Sequence, residues 1–126
     1  MSYADDRRAA AEAIRALRAE VRWKPGKAAA HLVKRKAQGH LPASATLDEY
    51  NGLVVGVLNG LDNSVYRYPF GGRDFYAVRG EAQGRDWLVI FGADGVMETA
   101  FPPDDMTDYL INRGFVPMGP VRMVVT

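Results

Sequence analysis

Between Ser64 and Phe101 the chain is a succession of four short β-prone runs, and this stretch constrains the fold more than any other. The runs are Ser64–Phe70, Asp74–Arg79, Asp86–Phe91 and Val96–Phe101, bounded by Gly, Asp and Asn. Ala93-Asp94-Gly95 fits a tight hairpin between the last two, because Asp-Gly tolerates the positive φ that such turns require. Those two strands are then antiparallel neighbours, and the whole stretch reads as an antiparallel meander.

The residues ahead of the meander carry helical spacing. From Ala4 to Trp23 the apolar positions Ile14, Leu17 and Val21 share a face, which predicts an amphipathic helix ended by Lys24-Pro25-Gly26. A second helix is expected from about Lys27 to Gln38, stopping at Gly39. Its expected buried stripe is Ala29, Leu32, Val33 and Ala37, leaving Lys27, His31, Lys34 and Arg35 on a polar face. Thr46-Leu-Asp-Glu49 is a capping box that opens a third helix over roughly residues 47 to 59.

Beyond the meander, Pro102-Pro103 ends the strand ladder, and Asp104 or Thr107 is expected to cap a short helix running through Asn112. Phe115 to Val125 is expected to add an edge strand, although it contains Pro117 and Pro120. The pattern predicts an α+β fold: N-terminal helices packed on an antiparallel meander of four to five strands. Its 126 residues, 48% of them hydrophobic, suit one domain, with residues 1–26 a helical extension of the α+β unit at residues 27–126.

The chain has no cysteine, so disulfides, thiolate chemistry and cysteine-based zinc sites are excluded. No apolar run approaches the ~20 residues of a membrane span, and the first residues lack the basic-then-apolar pattern of a secretion signal. A chain made in the cytoplasm, without membrane association, is the expectation. No Walker pattern, dinucleotide-binding glycine signature, serine nucleophile elbow or metal-ligand spacing is present, and neither cofactor nor metal is expected.

The net charge of +1 conceals an asymmetry. Residues 1–40 hold ten Lys/Arg against four Asp/Glu, whereas residues 41–126 hold six against eleven. One face meeting an anion such as RNA is one reading; two oppositely charged halves packing together is the other.

Both histidines lie in the basic part, in Lys27-Ala-Ala-Ala-His31-Leu-Val-Lys34-Arg35-Lys36-Ala-Gln-Gly39-His40. A helix brings His31, Lys34 and Arg35 together, and neighbouring cations push the pKa of His31 downward, as suits a general base. Lys34, Arg35 and Lys36 can hold phosphate, with Lys27 a further RNA contact. His40 can be a second proton carrier or a helix cap. Thr99 can hydrogen-bond a phosphate, while strand alternation places Glu98 on the opposite face. Tyr66, Tyr68, Tyr76 and Trp87 are candidate stacking surfaces for unpaired bases. Plainer readings exist throughout: a solvated helix face for the cations and core packing for the aromatics.

Together, the His31-x-x-Lys34-Arg35-Lys36-x-x-Gly39-His40 stretch, the capped helix with Tyr50, the Tyr66-x-Tyr68 strand and the Trp87-to-Phe101 segment with Asp94-Gly95 and Thr99 resemble the colicin D-type ribonuclease toxins. These belong to the wider barnase, EndoU, colicin and RelE group, including toxins of contact-dependent inhibition. The resemblance covers about residues 27 to 103 and departs from the usual adjacent Lys-His in the helix. It implies a metal-independent endoribonuclease, often a tRNase, delivered into target-cell cytoplasm in bacterial competition and neutralised by a cognate immunity protein. An acidic immunity or antitoxin protein is the implied partner. The alternatives are a non-catalytic module gripping RNA or protein through its basic helical face, and an interaction domain whose N-terminal helix pairs with a partner.

Overall fold

The four runs of the meander become the centre of a six-stranded sheet in the computed structural model, which describes residues 2–126. In chain order the elements are α1 (Tyr3–Ala19), β1 (Arg22–Trp23), α2 (Lys27–Ala37), α3 (Leu47–Asn59), β2 (Ser64–Phe70), β3 (Arg73–Ala82), β4 (Arg85–Gly92), β5 (Val96–Phe101), α4 (Met106–Asn112), β6 (Val116–Pro120) and α5 (Val121–Val124). The strand order is β1-β5-β4-β3-β2-β6. The protein is α+β, with the N-terminal helices packed on the sheet.

Every pairing is antiparallel except that of β1, which runs parallel to β5 and makes the sheet mixed. This corrects the expected helix from Ala4 to Trp23, which ends at Ala19. The next residues extend, and Arg22 and Trp23 pair with Val96 and Met97. The helical spacing of Val21 carries no information about a ladder partner some seventy residues away; that partner, with the Trp23 Nε1–H bond to Asn51 Oδ1 at 2.9 Å, outweighs local propensity.

The second correction concerns the face that α2 turns inward. Val33 is 65% exposed, Ala29 and Ala37 are also exposed, and of the expected stripe only Leu32 is half-buried. Arg35 is the buried residue, and His31 is half-buried. Residues 28, 31, 32 and 35 therefore form the inward row. The guanidinium of Arg35 lies 5.5 Å over the ring of Phe101 and a Tyr50–Trp87 aromatic layer lies beneath, so polar side chains with flat faces fill the space that alanines would leave empty.

The capping box at Thr46 and Glu49 forms as expected, and α3 buries Tyr50, Leu53, Val54, Val57 and Leu58. With α1, α5 and one sheet face it encloses the larger core, in which Ile14, Leu17, Tyr76 and Trp87 are completely buried. Tyr76 and Trp87 are thus unable to stack on bases. The apolar face of α1 is likewise consumed, with Ala10, Ala13, Ile14 and Leu17 in this core, which removes the surface that an N-terminal pairing helix would need.

On the opposite sheet face α4 covers a smaller cluster of Tyr66, Tyr68, Phe75, Leu88, Ile90 and Phe115. Its N-cap is Asp105, whose side chain accepts from the Asp108 N–H, rather than Asp104 or Thr107. The expected strand from Phe115 to Val125 is split. Val116 to Pro120 forms the edge strand β6, and the chain then turns into α5, where the N–H groups of Val121 and Arg122 bond the carbonyls of Asn63 and Leu61.

Two details of the strands shape the open part of the second face. Gly71 and Gly72 both have positive φ, +59° and +74°, giving a two-residue turn that sets Phe70 opposite Arg73. In β5, Thr99 pairs with Ile90 but Met97 pairs with Phe91, so Glu98 is an extra residue in a β-bulge.

Candidate active site

The candidate site lies along β5, where α2 and β1 meet the strand's outer edge. Thr99 Oγ1 and His31 Nδ1 are 3.3 Å apart, joining residues 68 positions apart in the chain. Two residues further along β5, Phe101 supports Arg35, and Arg35 Nη1 lies 3.2 Å from His40 Nδ1. One helical turn on α2 matches two residues on β5, about 6 Å in each case, so the His31–Thr99 and Arg35–Phe101 contacts are adjacent rungs.

Trp23 braces His31 from the side, with ring centroids 5.4 Å apart, and rests in turn on Tyr50 at 5.5 Å. Tyr50 donates its hydroxyl to the carbonyl of Ala100 at 2.5 Å, tying α3 to the strand that carries Thr99. Burial pushes the Tyr50 hydroxyl up to about 12, so it is a fixed donor at neutral pH. His40 packs edge-on against Trp87, 6.4 Å between centroids.

The electrostatics favour neutral imidazoles. Burial is the main cause that lowers the pKa of His31 below its ordinary value, and Arg35, Lys34 and Lys27 add to it, while Glu98 opposes them. His40 is lowered by burial, then by Arg35 and Arg85, against Asp104. Arg35 is itself 3% exposed with its Nε unpartnered, and among the described residues it pairs with no carboxylate. A buried cation without a counter-charge is costly, and anions are the chemistry that it attracts.

A cavity of about 350 Å³ opens on the Thr99 side, floored by Tyr68, Phe75, Ile90 and Tyr109 and rimmed by Lys24, Phe70, Arg73 and Glu98. A second hollow beside His40 is lined by Phe101, Pro102, Pro103 and Asp104. A third recess, lined by Asp62, Arg79, Arg85 and Asp86, is largely polar, and its Arg85 reaches the carbonyl of Gly39 beside His40 at 3.2 Å.

No protein-family model, curated protein or solved structure matches the chain. The site therefore stands on its own geometry.

Of the residues singled out from sequence, the fold brings His31, Arg35, His40 and Thr99 together, with Tyr68 in the floor of the adjoining cavity. Lys27 and Lys34 are exposed on α2 within electrostatic reach of His31. Lys36 instead faces Glu49 at the start of α3, and Tyr66 lies in a separate groove with Phe115 and Pro117. Glu98 was expected on the face opposite Thr99, but the bulge breaks the alternation and both line one cavity. Trp23, Lys24, Arg73 and Tyr109 gave no signal as site residues, since only the tertiary fold assembles them. Among the described residues no group of three or more His, Asp or Glu side chains is placed to hold a metal ion. No helix among them is long and apolar enough to cross a membrane.

Proposed function

We propose that the protein is a metal-independent endoribonuclease acting on tRNA or another structured RNA. The observation that carries the proposal is the contact of His31 with Thr99 beside an uncompensated buried Arg35. In this reading His31 removes the proton from a ribose 2′-OH, and the 2′-oxygen attacks the adjacent phosphorus. The bond from phosphorus to the 5′-oxygen breaks, that oxygen takes a proton, and the products are a 2′,3′-cyclic phosphate and a 5′-OH end.

A base with a lowered pKa stays unprotonated at neutral pH, and the arriving phosphate offsets the repulsion that a protonated imidazole would meet from Arg35 and Lys34. Thr99 orients both the imidazole and the phosphate. Lys34 and Arg35 stabilise the charge that develops on the phosphoryl oxygens, Arg35 through the field it casts from beneath the site. The proton returned to the leaving oxygen is the one that His31 has taken up, passed back directly or through water, while His40, held neutral on the next rung with Nδ1 facing Arg35, donates its Nε2–H to a phosphoryl oxygen. A toxin neutralised by an acidic immunity protein is the biological setting that fits a basic site of this kind.

Incubation of purified protein with total tRNA in EDTA tests the proposal. Cleavage by the wild type and its loss in His31→Ala is the expected result; intact tRNA with folded wild type counts against it. Binding that falls steeply with salt, without cleavage, would select the non-catalytic basic module.

A further inference from the structure

We infer that the cavity beside Thr99 is a base-selecting subsite, in which Glu98 favours a nucleobase carrying an exocyclic amine over uracil. The inference rests on the ribonuclease reading only for its place beside the scissile phosphate; the cavity's own chemistry supplies the rest. The floor is aromatic, with Tyr68, Phe75 and Tyr109 beneath the opening, and Phe70 is 59% exposed at the mouth. Phe70 stacks on the buried Tyr68, 29° between their planes at 5.7 Å, so that its exposed ring is the braced, flat apolar surface at the mouth. Such surfaces stack any unpaired base.

Selection needs a polar group fixed at the edge of that surface, and the β-bulge supplies one. In a regular strand Glu98 would face away from Thr99; as the extra residue it lines the same cavity. A carboxylate only accepts hydrogen bonds. Adenine, cytosine and guanine each offer an amine to it, whereas uracil offers one N–H between two carbonyl oxygens that the carboxylate repels. Lys24 Nζ lies 3.7 Å from the Glu98 carboxylate and offsets its charge, so that the acid does not repel the RNA backbone. Arg73, held 5.3 Å over Phe75 at the glycine turn, places a second cation at the mouth for a flanking phosphate.

The test uses nucleoside 3′-monophosphates, which have no scissile bond, titrated into wild-type protein by calorimetry and by amide shifts of Phe70 and Thr99. The expected result is binding of AMP, CMP and GMP about tenfold tighter than UMP, as a charge-assisted hydrogen bond provides. Glu98→Gln, whose amide also donates, is expected to bring UMP within about twofold of the others, and Phe70→Ala to weaken all four about fivefold. Equal affinity for the four in wild type, or a preference unchanged in Glu98→Gln, overturns the subsite. A Glu98-dependent preference in a protein that leaves tRNA intact retains the subsite and removes the ribonuclease reading.

Discussion

The Arg35 guanidinium donates to Nδ1 of His40 across 3.2 Å, and this contact fixes the tautomer of the histidine. A guanidinium has donors only, so Nδ1 must be the accepting nitrogen and the neutral ring carries its proton on Nε2. The same Arg35 acts on His31 through its charge, one helical turn away. One buried cation thereby adds to burial in disfavouring the protonated form of both histidines.

Replacing Arg35 with Met keeps the packing against Phe101 and removes the charge. Both histidine pKa values are expected to rise in Arg35→Met, measured by NMR titration of the ring protons, with circular dichroism confirming the fold. Unchanged values would show that burial alone holds the imidazoles neutral.

Stability depends on pH with a definite sign. His31 and His40 titrate below their ordinary value of about 6.5 in the folded state, so on acidification the unfolded chain binds protons first. Stability from these groups is complete above about pH 7 and falls as pH drops through 6.5 toward the lowered folded values. Urea denaturation at a series of pH values should show this loss, reduced in His31→Gln and His40→Gln.

Thr99→Val preserves shape and deletes the hydroxyl that meets His31. Activity on RNA is expected to fall about tenfold, which corresponds to one lost hydrogen bond of ~1.4 kcal/mol in the transition state. Thr99→Ser should retain most of it. A Thr99→Val enzyme as active as wild type would remove Thr99 from the site.

Asn63 provides a test away from the site. Its Nδ2 bonds the carbonyl of Val57 at 2.8 Å, and a Cβ added at Gly80 would lie 2.3 Å from that same nitrogen. Gly80→Ala should cost roughly 1–3 kcal/mol by overpacking. In an Asn63→Ala background the added cost should shrink, giving a coupling measurable in a double-mutant cycle. Additive costs would place the strain elsewhere.

What the sequence made legible follows from which interactions are local. The capping box at Thr46, the bounds of the third helix, the strands at residues 64–70 and 96–101 and the Asp94-Gly95 turn are written in neighbouring residues, and they form as expected. Hydrophobic periodicity misread α2, because an alanine stripe competes weakly for burial against Arg35 and His31, which have Phe101, Trp23 and Thr99 to rest on. β1 was invisible because two residues have no periodicity. The bulge at Glu98 was invisible for a related reason, since it exists only in the pairing of β5 with β4. The grouping of His31 with Thr99 was anticipated as chemistry, while the cavity beside them depends on the glycine turn, β1 and α4 arriving from three separate parts of the chain.

The chemistry of the cut ends tests the central claim most directly. Mass spectrometry of RNA fragments produced in EDTA should find 2′,3′-cyclic phosphate and 5′-OH termini with wild-type protein and none with folded His31→Ala. Termini with a 3′-OH and 5′-phosphate, or cleavage that persists in His31→Ala, would contradict a mechanism in which His31 activates the ribose 2′-OH.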